Sequence, residues 1–258
     1  MLPRTPYRFW CFPAFLCLAM AVVLASPCLA FDKEFDKTYP LEPGGSFELR
    51  NVNGSVDVEG WDRNEVQIHA VETAKHREAD LQLVSIDVAA KPTEVSVATR
   101  YPQNEGVEVV VEYRVRVPRN ARVEHLGTVN GILRVSALEA LEDLRTVNGD
   151  IDVYDSGGSI HARTTNGNIH LELTHIQDKT GAAAETTNGS LLVLLPPTLQ
   201  ANLVARCLNG KFYSELPISL ETAQRPREVR GKLGPGGPPI SLRTVNGIIR
   251  VEALHSTV

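Results

Sequence analysis

The residues of this chain best equipped for chemistry are Asp150, Asp152, Asp155, His161 and His170, with Arg134 not far before them. Carboxylates and imidazoles gathered together serve acid/base catalysis or hold a metal ion. Arg134, Asp152 and His170 lie 18 residues apart, and each is the fourth residue after an Asn in a recurring phrase. That spacing predicts an outward column of Arg, Asp and His, one from each of three stacked segments, with His161 projecting from another leg. Such a column offers too few convergent ligands for a metal and no cleft to shift a pKa. It reads as a solvated ladder of opposite charges, and no catalytic, cofactor-binding or metal-binding residue is assigned.

Other candidates reduce in the same way. A β-helical polysaccharide lyase or hydrolase needs several carboxylates gathered in a groove. The outward positions here are mixed (Arg134, Asp152, Leu192, Tyr213, Arg250), so no groove and no enzyme are expected. Calcium binding of the repeat-in-toxin kind needs repeated GGxGxD, and only Gly157-Gly158 resembles it. Cys207 reads as a buried small residue, and Trp61 as an aromatic cover over a core end in preference to a sugar-stacking ring. The run Arg225 to Lys232 is broken by Pro226 and Glu228 and reads as a solvated loop.

The elements that must position these residues follow from the phrase itself. It occurs seven times: NVNGSVDV (51–58), TVNGILRV (128–135), TVNGDIDV (146–153), TTNGNIHL (164–171), TTNGSLLV (186–193), CLNGKFYS (207–214) and TVNGIIRV (244–251). The residues four before each Asn are all apolar (Leu49, Leu126, Leu144, Ala162, Ala184, Ala205, Leu242), and apolar pairs such as Ile151 and Val153 follow it at period two. Alternation on both sides of a Gly turn is a strand signature. Intervals of 18, 18, 22 and 21 residues separate the middle copies, and the final 37 is close to two intervals.

Two geometries fit an Asn-Gly between alternating runs: a meander of hairpins, and a solenoid whose coils superpose. The fixed period favours the all-β solenoid, with coils of about 18–22 residues. Stacked Asn and Thr columns would then form hydrogen-bonded ladders, and Asn and Gly would supply the positive φ of a tight turn. Residues 31–120 read as an antiparallel strand region that caps or extends the solenoid, with strands at 45–58, 65–74, 81–89, 94–101 and 107–117. Residues 121–258 carry the regular repeats and continue the same unit. Glu215 to Pro239 reads as a surface loop, and the one helical turn is expected near 138–144.

Residues 1–30 have Arg4 and Arg8, an apolar stretch from Phe9 to Leu24, and Cys28 and Ala30 at the small-residue positions of a cleavage site. This reads as a secretory signal peptide cut after Ala30, the alternative being a retained anchor. The mature chain would keep all 31 acidic residues but 24 of the 26 basic ones, for a net charge near −7. A nucleic-acid partner is therefore not expected. Only Cys207 would remain of the four cysteines, so no disulfide framework is available in an oxidising compartment. No second hydrophobic span follows.

The TVNG phrases, the YRVRVP stretch at 113–118 and the closing GGPPISLRTVNGIIRVE resemble the bacterial putative-adhesin family of β-strand repeat proteins. The resemblance covers most of residues 40–253. It implies a β-helical fold and export to the periplasm or cell surface. It also implies an adhesin-like role toward a surface glycan or envelope protein, the alternative being a periplasmic envelope-stress or scaffold component. It brings no catalytic residue and no cofactor.

Overall fold

The computed structural model describes residues 31–102, 106–177, 180–221 and 227–254. The signal segment read at 1–30 lies outside them. From the N-terminal side the strands are β1 (Phe31–Pro40), β2 (Ser46–Arg50), β3 (Val56–Trp61), β4 (Glu65–Ala74), β5 (Ser85–Lys91), β6 (Glu94–Arg100) and β7 (Val109–Pro118). The middle of the chain forms β8 (Arg122–Gly127), β9 (Leu133–Ser136), β10 (Ala140–Arg145), β11 (Ile151–Arg163), β12 (Ile169–Ile176), β13 (Ala182–Asn188) and β14 (Leu191–Leu195). The rest is β15 (Ala201–Asn209), β16 (Phe212–Ser214), β17 (Ile218–Leu220), β18 (Glu228–Leu233), β19 (Pro239–Asn246) and β20 (Ile249–Ala253).

Among the described residues, no two strands flanking an Asn-Gly pair antiparallel to each other, so the hairpin meander is excluded. The strand before each turn pairs in parallel with its counterparts: β2 with β8, β8 with β10, β10 with the end of β11, then β11 with β13, β13 with β19 and β19 with β15. The strands after the turns stack in the same order: β3, β9, the start of β11, β12, β14, β20 and β16. The chain is thus all-β and laid out as two stacks of strands. Leu126, Leu144 and Ala162 from the first stack and Val135, Val153 and Leu171 from the second belong to one buried cluster. Period-two alternation is what sends every other residue to that shared core.

The turns themselves form ladders. Each Asn side chain donates to the next Oδ1, as Asn148 to Asn130 and Asn166 to Asn148, both at 2.8 Å. The buried Thr hydroxyls donate to the neighbouring coil's Gly carbonyl, as Thr146 to Gly131 and Thr164 to Gly149 at 3.0 Å. Positive φ explains the Gly at few of these turns; the general cause is close approach. A Cβ on Gly149 would lie 1.9 Å from the Gly131 oxygen, and one on Gly167 2.0 Å from the Gly149 oxygen.

Four expectations are corrected. The 21-residue interval from Asn188 to Asn209 is not a stacking step, because the last copy is inserted between them: Asn246 donates to Asn188, and Asn209 to Asn246. The N-terminal region is only partly antiparallel. β4 pairs antiparallel with β1 and β7, and β5 with β6, but β6 and β7 continue the stack parallel to β2 and β3. The expected loop at 215–239 contains β17 and β18, antiparallel to each other, with β18 also antiparallel to β15. The helical turn lies at Glu78–Gln82, where a strand was expected to begin, whereas Ala140–Arg145 is a strand because parallel neighbours on both sides claim its backbone.

Candidate functional site

Outward side chains of the second stack fall into one row. In register order it reads Asp36, His69, Arg114, Asp57, Arg134, Asp152, His170, Leu192, Arg250 and Tyr213. The expected column of Arg134, Asp152 and His170 is therefore present, as the centre of something longer. Asp150, Asp155 and His161 do not join it. The Asp150 carboxylate accepts the Asn168 backbone N–H at 2.6 Å, and Asp155, at φ 43°, marks where β11 crosses from one stack to the other. His161 projects from the first stack, in register with Asp143.

The row is a chain of loose contacts between carboxylates and basic side chains. Arg134 lies 3.7 Å from Asp57 and 3.8 Å from Asp152, and His69 lies 3.8 Å from Asp36. Two residues along each strand, Arg116 donates to Glu59 at 3.2 Å, and Glu172 lies 3.4 Å from His170. Distances near 3.7 Å are ion-pair contacts without a hydrogen bond. Asp57 Oδ1 and His170 Nε2 are shielded from solvent and make no hydrogen bond. Buried polar atoms left open in this way are uncommon and call for an explanation. Burial, then the neighbouring Asp150, push the Asp152 carboxyl above the usual range, while Arg134 and His170 pull it back.

Above these residues is a cleft of about 520 Å³, lined among others by Asp36, Asp57, Glu59, His69, Arg114, Arg134 and Tyr154. Its presence corrects the expectation that no groove exists: the N-terminal strands β1, β4 and β7 extend the face and build one side of it. Of its three carboxylates, Asp57 lies 3.7 Å from Arg134 and Glu59 3.2 Å from Arg116, while Asp36 lies 3.8 Å from the His69 imidazole. Tyr154 stands at the rim, partly exposed, its ring 5.1 Å from and perpendicular to that of His170.

The other residues singled out by sequence settle elsewhere. Trp61 donates its indole N–H to the Glu65 carbonyl at 2.8 Å, with Arg63 5.0 Å and Arg116 5.8 Å from its ring centre. Its faces are taken by guanidinium groups. Cys207 is buried at the Thr-column position, and burial pushes its thiol up. Of the basic run, Arg225 and Pro226 lie outside the described residues. Arg230 lies in β18, where Glu228 accepts from both Arg206 and Arg230. Asp57 and Tyr154 were within reach of sequence, Asp57 as the fourth residue after the first Asn and Tyr154 two after Asp152. Asp36, His69 and Arg114 had no Asn-Gly to align them.

A family model described as Toastrack DUF4097 matches residues 39–252. Among solved structures, a putative cell adhesion protein from Clostridium sporogenes ATCC 15579 is 12% identical, covering 86% of this chain and 100% of its own, with a TM-score of 0.46. A putative adhesin from Bacteroides fragilis NCTC 9343 is 12% identical over 86% and 97%, with a TM-score of 0.31. A putative lipid binding protein from Parabacteroides distasonis ATCC 8503 is 10% identical over 88% and 97%, with a TM-score of 0.28. No curated protein matches.

Proposed function

On the premise that the chain belongs to the Toastrack DUF4097 family, we propose that it is a non-catalytic, adhesin-like binding protein exported to the bacterial envelope. Its parallel stacks are the coils of a β-solenoid with steps of about 18–22 residues, supported by the 18-, 18- and 22-residue offsets between Asn130, Asn148, Asn166 and Asn188. The solenoid holds one face stiff, and that face contacts a glycan of the cell surface.

The observation that carries this reading is the cleft of about 520 Å³ over the row of carboxylates and basic side chains. Alternating carboxylates and guanidinium groups, loosely paired, with Asp57 Oδ1 unsatisfied and an aromatic ring at the rim, suit a ligand rich in hydroxyls that both donates and accepts. A glycan array probed with the wild-type chain, with Tyr154→Ala and with Arg134→Ala tests it. Binding weakened about tenfold or more by either change, a loss of about 1.4 kcal/mol, is expected. Binding indifferent to both would remove the cleft from the reading. Digestion by protease on intact cells is also expected; protection until the outer envelope is opened would rule out surface adhesion.

One observation favours a second reading, an envelope-stress or scaffold protein that meets a protein partner at the end of its stack. β16 is three residues long and, among the described residues, pairs only with β20; Leu208, Tyr213 and Leu220 are exposed at that end. An open edge invites strand addition.

A further inference from the structure

Every copy of the phrase contains Asn-Gly, the dipeptide most prone to lose ammonia spontaneously, because Gly leaves its own nitrogen unhindered to attack the preceding side chain. Solvent does not distinguish the copies, since the Asn residues at 130, 148, 166, 188, 209 and 246 are all exposed. Hydrogen bonding does. The Gly N–H at 131, 149, 167 and 189 donates to the Asn carbonyl of the next coil at 3.0 Å, that of Gly54 at 2.8 Å and that of Gly247 at 3.2 Å. The Asn side chains at 130, 148, 166, 188 and 246 are held from both sides, donating to one neighbour and accepting from the other. At the first copy, Asn53 Oδ1 accepts from Asn130 and the Gly54 N–H is engaged.

The copy at the end of the stack differs. Asn209 donates to Asn246 at 2.9 Å, but among the described residues nothing donates to its Oδ1 and nothing accepts the Gly210 N–H. We propose that Asn209-Gly210 is a self-modification site at which the folded protein slowly converts asparagine to aspartate and isoaspartate. The Gly210 nitrogen gives its proton to hydroxide and attacks Asn209 Cγ. The N–Cγ bond forms, the Cγ–Nδ2 bond breaks, and ammonia leaves with a proton from water, giving a five-membered succinimide. Water then opens the ring at either carbonyl, with no oxidant or reductant involved. In the interior copies the same nitrogen is committed to the neighbouring coil and the amide carbon is pinned, so attack requires breaking the ladder first. The product carboxylate cannot donate to Asn246 Oδ1, so conversion removes the last rung and adds a negative charge at the open end.

The test is incubation of the folded chain at pH 8 and 37 °C, with and without urea at an unfolding concentration, followed by tryptic peptide mass spectrometry and isoaspartate methylation. Cleavage after Arg206 and Lys211 isolates Asn209-Gly210 in its own five-residue peptide. In the folded chain the one-dalton gain at Asn209 should run at least tenfold ahead of the gain at Asn130, Asn148, Asn166, Asn188 or Asn246, and in urea the rates should converge. Asn209→Gln should abolish the gain in that peptide while keeping the interior copies protected, which separates loss of the site from loss of the fold. Equal rates in the folded chain, or an Asn209 no faster than the interior copies, would overturn the proposal. Gly210→Ala is unsuitable as a control, because its Cβ would lie 1.7 Å from the Gly247 oxygen.

Discussion

At the scale of single residues, the repeated Gly is a steric requirement that sequence pattern disguises as a turn preference. Gly149→Ala should cost ~3 kcal/mol in urea unfolding, because its Cβ meets a backbone oxygen that has no room to retreat. Thr164→Val should cost about 1 kcal/mol by removing the bond to Gly149 and nothing of the packing. Asp152 gives a signed pH effect. Its folded pKa is raised, so the folded state binds its proton more tightly than the unfolded chain, and its ionisation costs stability as pH rises through the interval just above the ordinary Asp value. Asp152→Asn should therefore gain on the wild type across that interval and hold a constant offset above it, as read from unfolding at a series of pH values.

Among elements, the strands were legible because period-two burial leaves a direct mark on sequence, as in VVVEYRVRVP of β7, with its buried face at Val109, Val111, Tyr113, Val115 and Val117. The stacking order was not legible, since all TVNG copies present the same donors and acceptors to a neighbour. One signal was available: Asn51 and Cys207, the two copies without Thr, both fall where the run of Thr rungs stops. Cys207 directs its thiol to Lys211 O, and Asn51 accepts from Thr99. The long charged row was legible only where an Asn-Gly aligned it, which is why the β1, β4 and β7 side of the cleft was missed. Removing residues 238–258 should leave β15 without its parallel neighbour β19, and amide exchange at Ala201–Asn209 should accelerate by orders of magnitude while β8 to β12 stay protected.

For the whole molecule, both ends fold back on themselves. β6 and β7 lie outside β2 and β3, though they follow them in sequence, and β19 and β20 lie inside β15 and β16. A stack that simply propagated from one end could assemble coil by coil as the chain is made. Here residues 239–253 fill a slot whose two walls are made earlier, so synthesis produces the walls with the gap between them still empty. The slot is then a socket with defined donors and acceptors, including the Gly189 N–H and the Asn209 side chain, both of which bond Asn246. A separate peptide covering residues 238–254 should enter that socket in the truncated chain and restore slow exchange at β15, and a peptide with Gly247→Ala should fail to. The protein would thus be divisible into two pieces that recognise each other, a molecular lock whose key is its own last repeat.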